Sequence, residues 1–244
     1  MANTYSLDLE SGSSQYASIA DASQTGLDLS TTGTFECWVK FESTPTGYSN
    51  IITKDDESSN RSYILRYYSD STRLECGVND GTNWDLYYYT WTPTVGVWSH
   101  IGVTINTGNA SATTFEFFVN GVSVGNGTAV LNSNITTIIN GTAPFRIGAS
   151  GAGTPGGFFD GIMDEVRIWN DVRTSTEISD NKSVELVGNE ANLVGYWKLN
   201  NNYLDETTNN NDLTSSGSPI FSTDVPFVGV SGTIGYKSLL GVGI

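Results

Sequence analysis

The sequence predicts an all-β protein, a two-sheet antiparallel jelly-roll sandwich with one short helix. Three observations carry this reading. Short runs of alternating apolar and polar residues recur along the 244 residues, with the period of half-buried strands. Gly, Asn, Asp, Ser and Thr fill the gaps between the runs, as in hairpins and arches. A helix start is legible in one place only, late in the chain. Many short strands with little helix imply a sandwich or jelly roll.

Taken in order, "YASIAD", "TFECWVKF", "SYILRYY" and "RLECGVN" follow the opening "YSLDLESG". Cys37 and Cys76 are the only cysteines, too few for a disulfide framework. They read as small core residues or as one bridge whose geometry sequence does not show. "WSHIGVTI" and "TFEFFVNG" come next, and Asn120-Gly121 suits a type I′ turn, which makes "VSVG" the return arm of a hairpin. "FRIGAS" and "GIMDEVRIWN" complete the set. Within "FFDGIMDEVRIW", alternation puts Phe158, Asp160, Ile162, Asp164, Val166 and Ile168 on one side. Phe159, Met163, Glu165, Arg167 and Trp169 fall on the other. Asp164 then shares a face with core-like residues and needs a partner, because an isolated buried charge is costly.

Thr174 precedes Glu177 by three residues, a capping-box spacing that predicts a helix over 174–180. Residues 1–221 read as the sandwich. From Ser222 to Ile244 the chain turns apolar and Gly-rich, with Lys237 as its only charge after Asp224. This tail is too short and too rich in glycine to form its own core, yet too apolar to be left in solvent. Two outcomes are open. It folds back over its own domain, or it docks on a neighbouring subunit and builds a homo-oligomer or a larger structural assembly.

Eleven basic against 26 acidic residues give a formal charge of −15. Such a field repels phosphate backbones and argues against nucleic-acid binding. No run approaches the length of a membrane span, and "MANTYSLDLESG" has neither the basic nor the apolar region of a classical signal peptide. Read alone, the sequence is expected to be made in a cytosol, with display on a surface or incorporation in a virion as later fates.

The order of the runs resembles the laminin G-like, or concanavalin A-like, jelly roll in its bacterial and viral form. The resemblance covers roughly residues 5 to 215. It rests on "YSLDLESGSSQYASIAD", "TFECWVKF", the Trp-x-His strand with its hairpin in "WSHIGVTINTGNASATTFEFFVNGVSVG", and "PFRIGAS". It rests further on "FDGIMDEVRIWNDVRTSTEI" and "LVGYWKLNNNYLDETTNNNDLT". It implies two sheets face to face, loops bordering a concave side, and a packed or hydrogen-bonded His100. It also implies a structural calcium ion between the N-terminal segment and the strand of Asp164. Glu10, Gly12 and Asp164 are then the candidate ligands, with backbone oxygens of 11–14, since calcium takes six to eight hard oxygens. The family's usual Asp-Gly is Glu10-Ser11-Gly12 here. The alternative is an Asp164 satisfied by backbone N–H groups or by Arg167.

Enzymatic constellations are weak. The paired-acid signature of laminarinase-like hydrolases is absent, and Asp160 and Asp164 lie in a run that matches a non-catalytic motif. "GVSVG" fits a nucleophile elbow by letter, but Ser123 sits on a hairpin arm and not between strand and helix. No catalytic residue is expected. The aromatic run in "DGTNWDLYYYTWTP" carries more chemistry, because aromatic faces stack on sugar C–H surfaces. Trp84, Tyr87, Tyr88, Tyr89 and Trp91 are candidate carbohydrate-binding residues, with Tyr48 bordering the same cleft. Alternation puts Tyr87, Tyr89 and Trp91 on one face and Tyr88 on the other, so one set can equally be core. Two functions follow as expectations: a non-catalytic, lectin-like module for a glycan or polysaccharide, or a structural or adhesion protein such as a virion surface, decoration or tail component.

Overall fold

The computed structural model describes residues 3–57, 60–108, 113–151 and 154–228. In chain order the strands are β1 (Ser6–Leu9), β2 (Tyr16–Ile19), β3 (Thr32–Phe41), β4 (Tyr48–Lys54), β5 (Tyr63–Tyr68), β6 (Arg73–Asn79), β7 (Trp84–Thr90) and β8 (Ser99–Asn106). There follow β9 (Thr114–Val119), β10 (Val122–Asn126), β11 (Thr128–Leu131), β12 (Phe145–Ile147), β13 (Gly161–Trp169), α1 (Ser175–Asn181), β14 (Leu193–Trp197), β15 (Thr214–Ser216) and β16 (Ile220–Ser222). One sheet runs β10-β9-β8-β3-β13-β1-β16, with β14 also on β13, and the other runs β11-β7-β6-β5-β4-β12-β2-β15. The predicted all-β jelly-roll sandwich is the observed fold, and α1 is its one α-helix among the described residues. That helix is not long or apolar enough to cross a membrane.

The inner faces make one core. Phe35, Cys37, Val39, Ile101, Val103 and Phe117 of the first sheet meet Ile52, Leu65, Leu74, Cys76, Val78 and Phe145 of the second. Each fully buried Val, Leu, Ile or Phe among them contributes about 1.5–3 kcal/mol. Cys37 and Cys76 are buried and free, so the core reading of the cysteines holds. Asn120 (φ 53°) and Gly121 (φ 77°) both take left-handed backbone, as the type I′ turn between β9 and β10 requires. The capping box is also in place: Thr174 Oγ1 accepts from the Glu177 N–H at 3.2 Å, and Glu177 Oε2 accepts from the Thr174 N–H at 2.8 Å.

β13 departs from simple alternation. Its ladder to β3 slips between Asp164 and Arg167, and Glu165 has φ 52°. One extra residue at such a bulge reverses the facing of everything beyond it. Phe159, Met163, Val166 and Ile168 therefore point into the main core, while Trp169 joins an outer cluster with Leu186, Leu193 and Tyr196. This corrects the sequence expectation that Asp164 shares a face with Val166 and Ile168. The bulge also marks a fork: β1 pairs with 161–163, and β14 pairs with 166–169.

The boundary at 221/222 falls inside β16, which pairs with β1. The chain beyond it stays attached: Asp224 bonds to Lys40, Trp98 and Ser6, and the Phe227 ring lies 6.2 Å from that of Trp38. The expectations for the tail from 229 onward lie outside the described residues.

Candidate functional site

The outer face of the second sheet is built in cross-strand rows. Ile64, Gly77 and Leu86 are opposite one another on β5, β6 and β7, followed by Arg66, Glu75 and Tyr88, then by Tyr68, Arg73 and Thr90. Gly77 sets the local depth: a Cβ there would come within 2.9 Å of Leu86 and 3.0 Å of the Trp84 ring. With no side chain in the way, the Trp84 indole lies down on the sheet. Tyr48, Glu57, Arg61, Ile64, Arg66, Trp84, Leu86 and Leu131 line a depression of about 480 Å³ on this face.

The arginines were not singled out by sequence, yet they organise this surface. The guanidinium of Arg61 lies 4.6 Å from the Trp84 ring centre, that of Arg66 3.9 Å from Tyr48, and that of Arg73 4.0 Å from Tyr88. Arg61 donates from Nε and Nη2 to Asp55 at 2.8 and 3.0 Å. Arg66 donates from Nε to Glu75 Oε2 at 2.9 Å, and Arg73 reaches the same carboxylate at 4.0 Å. Tyr48 also stacks on Tyr68, with ring centres 4.4 Å apart.

The structure divides the predicted aromatic set. Trp84, Tyr88 and Tyr48 are on this outer face. Tyr87 is buried and stacks on Phe115 at 4.7 Å, while Tyr89 and Trp91 pack against the core, Trp91 beside Phe41 and Tyr67. Period-two alternation put those three on one side, and that side is the sandwich interior. Tyr87, Tyr89 and Trp91 therefore do not share the outer face with Trp84 and Tyr88.

The predicted metal ligands are likewise separated. Leu9 opposes Gly161 and Leu7 opposes Met163, so Glu10 lies level with Asp160. Four strand residues, roughly 13 Å, separate that level from Asp164. Asp164 is fully buried at the fork and accepts from the Asn3 side-chain amide at 2.7 Å and from the Glu165 N–H at 3.0 Å. Burial, with Glu165 alongside, pushes its carboxyl well above the usual range. Backbone N–H is thus one partner, as the alternative reading had it, but Arg167 is engaged elsewhere.

Glu10 instead joins Asp8 and Glu42, with carboxylate oxygens all within 4.8 Å of one another. Burial raises the Asp8 carboxyl, with Lys40 opposing and Asp160 adding to the rise. Burial also raises Glu42, helped by Asp8 and Glu10. Asp8 Oδ1 is buried with no hydrogen-bond partner. Asp160 beside them is held low, because Ser43 and Ser11 donate to it and outweigh its burial. Gly12 is on the adjoining turn, Ser11–Ser13, with open space around it.

The middle of the first sheet's outer face, over β3, β8 and β13, is closed. His100 is buried 5.4 Å from Trp38 and 3.5 Å from Glu36, as the Trp-x-His resemblance implied. Arg167 pairs with Glu165 at 2.5 Å and donates to the carbonyls of Asn181 and Val184. Ser123 is exposed on β10 and bonds to Glu116, so it has no histidine to act with.

A family model described as the concanavalin A-like lectin/glucanases superfamily matches residues 11–179. No curated protein sequence matches the chain. Among solved structures, a Bacteroides ovatus protein provisionally named as carbohydrate binding superposes with TM-score 0.66 at 18% identity, over 93% of this chain and 61% of that one. The present chain therefore spans about three fifths of that protein. The heptameric SAP-like pentraxin of Limulus polyphemus gives 0.59 at 13% identity, over 90% and 95% of the two chains. A Ruminococcus gnavus sialidase CBM40 bound to α2,3-sialyllactose gives 0.50 at 16%, over 68% and 96%.

Proposed function

Because the chain belongs to the concanavalin A-like lectin/glucanase superfamily, we propose that it is a non-catalytic carbohydrate-binding module whose site is the outer face of the second sheet. The observation that carries this is the depression between Tyr48 and Trp84, floored by Ile64 and Leu86. It combines apolar surface for sugar C–H groups with polar side chains fixed around it, the composition of small-molecule sites. The solved structures named as carbohydrate-binding support the same class. A virion component, the alternative expectation, has no counterpart among the structures named above.

Titration calorimetry of the full chain against glycans found on an array tests this. Trp84→Ala should weaken binding at least about tenfold, equivalent to about 1.4 kcal/mol. Binding that survives both Trp84→Ala and Tyr48→Ala moves the site elsewhere.

Calcium fits one place better than the other. Asp8, Glu10 and Glu42 offer clustered hard oxygens with a buried, unpartnered Asp8 Oδ1, whereas Asp164 already has two hydrogen-bond donors. A cation there would relieve the mutual repulsion of the three carboxylates and join the N-terminal segment to the turn after β3. Thermal melts with calcium and with EDTA test this, and an unchanged melting temperature contradicts it.

A further inference from the structure

We infer that the ligand of this face is an anionic glycan, one carrying carboxylate or sulfate groups, recognised by Arg61 and Arg66. The inference rests on the carbohydrate-binding reading and names its substrate class.

The aromatic rings of the depression do not offer bare faces. Guanidinium groups lie over Trp84 and against Tyr48, at 4.6 and 3.9 Å from the ring centres. A ligand entering here meets Arg61 over the Trp84 ring, and it meets the exposed Tyr48 ring with Arg66 against its inner face. The ion pairs are also oriented one way. Asp55 and Glu75 are 1% and 3% exposed, while their partners Arg61, Arg66 and Arg73 are 27%, 15% and 29% exposed. The negative ends are beneath the surface and the positive ends are at it. Glu75 serves two of the three arginines, and Glu57 adds an exposed carboxylate at the edge of the depression, so what favours an anion is the position of the guanidinium groups and not a net surplus of charge.

The placement runs against composition. A chain of formal charge −15 has six arginines, and three of them are on this one face. Each is held by a ring and a carboxylate, so little side-chain entropy remains to be lost on binding. A planar guanidinium with several donors matches a carboxylate or sulfate edge, which a neutral hydroxyl does not use fully. The apolar floor of Ile64 and Leu86 then takes the sugar ring.

The test is an array of neutral, carboxylated and sulfated glycans probed with the full chain, followed by calorimetry on the strongest binder. The expected result is binding to acidic glycans, at least tenfold weaker after reduction of the carboxyl groups or removal of the sulfates. Those two treatments also distinguish carboxylate from sulfate as the recognised group. Arg61→Gln should cost a further tenfold or more, and Arg66→Gln/Glu75→Gln, which removes both charges together, should do the same without leaving a buried carboxylate alone. Arg66→Lys should recover only part of the loss, since it keeps the charge but not the fork. Binding confined to neutral glycans, or unchanged by the arginine variants, overturns the inference while leaving the carbohydrate reading in place. Silence across all three classes overturns both.

Discussion

The two outer faces of the sandwich use the same chemistry under opposite solvation. On the first sheet, Arg167 and Glu165 are both 1% exposed, locked beneath α1 and the segment after it by the carbonyls of Asn181 and Val184 and by the Tyr196 hydroxyl. On the second, Arg66 and Glu75 form an equally direct pair, but the guanidinium is partly exposed and the Tyr48 ring lies against it. What covers an arginine–carboxylate pair decides its role. A closed pair holds two layers together, and an open one leaves donors for a ligand.

The largest expected effect breaks the closed face. Arg167→Ala strands Glu165 as an uncompensated buried charge and should cost about 3–5 kcal/mol in denaturant unfolding. A loss below about 1 kcal/mol would mean that the two faces do not differ as described. Calcium sharpens the contrast at the rim between them. At a hundred times its dissociation constant it should add about 2.7 kcal/mol. Glu42→Gln should abolish this gain and Asp164→Asn should leave it, which differential scanning calorimetry reads directly. The open face should respond less: Arg66→Ala is expected to cost about 1–2 kcal/mol, because Arg73 and solvent still reach Glu75.

The smallest effect is a pH slope belonging to the closed face. Burial holds His100 below its ordinary value of 6.5. The unfolded chain therefore binds that proton first, and stability is lost as pH falls below about 6.5, by up to about 1.4 kcal/mol per pH unit. Asp164, pushed upward by burial, acts in the opposite sense: its penalty fades as pH falls through its folded pKa. In an Asp164→Asn background the opposing contribution is smaller, though Glu165 is also raised by burial, and adding His100→Gln should lower the slope in chemical denaturation between pH 5 and 7.

Sequence made the sandwich, the Asn120-Gly121 turn and the Thr174 capping box legible, because each depends on residues close together in the chain. It also grouped Tyr87, Tyr89 and Trp91 on one face, without saying which face was inward. It misread Asp164, since a bulge at Glu165 leaves no signature in an otherwise regular alternation. The separation of Glu10 from Asp164 followed from strand register, which pairs residues more than 150 apart. The arginines had a weaker signal that was available: "ILRYY" and "TRLEC" put Arg66 and Arg73 on the polar phase of two strands beside the aromatic run. Their stacking and the burial of Asp55 and Glu75 beneath them needed the assembled sheet.

Hydrogen-exchange mass spectrometry of the full chain with a saturating acidic glycan tests the contrast between the faces most directly. Protection should appear in peptides covering 48–54, 61–68 and 73–90, with 161–169 and 175–197 unchanged. Protection confined to the segments around α1 and β14, with the β4–β7 peptides exchanging as in the free protein, would contradict it.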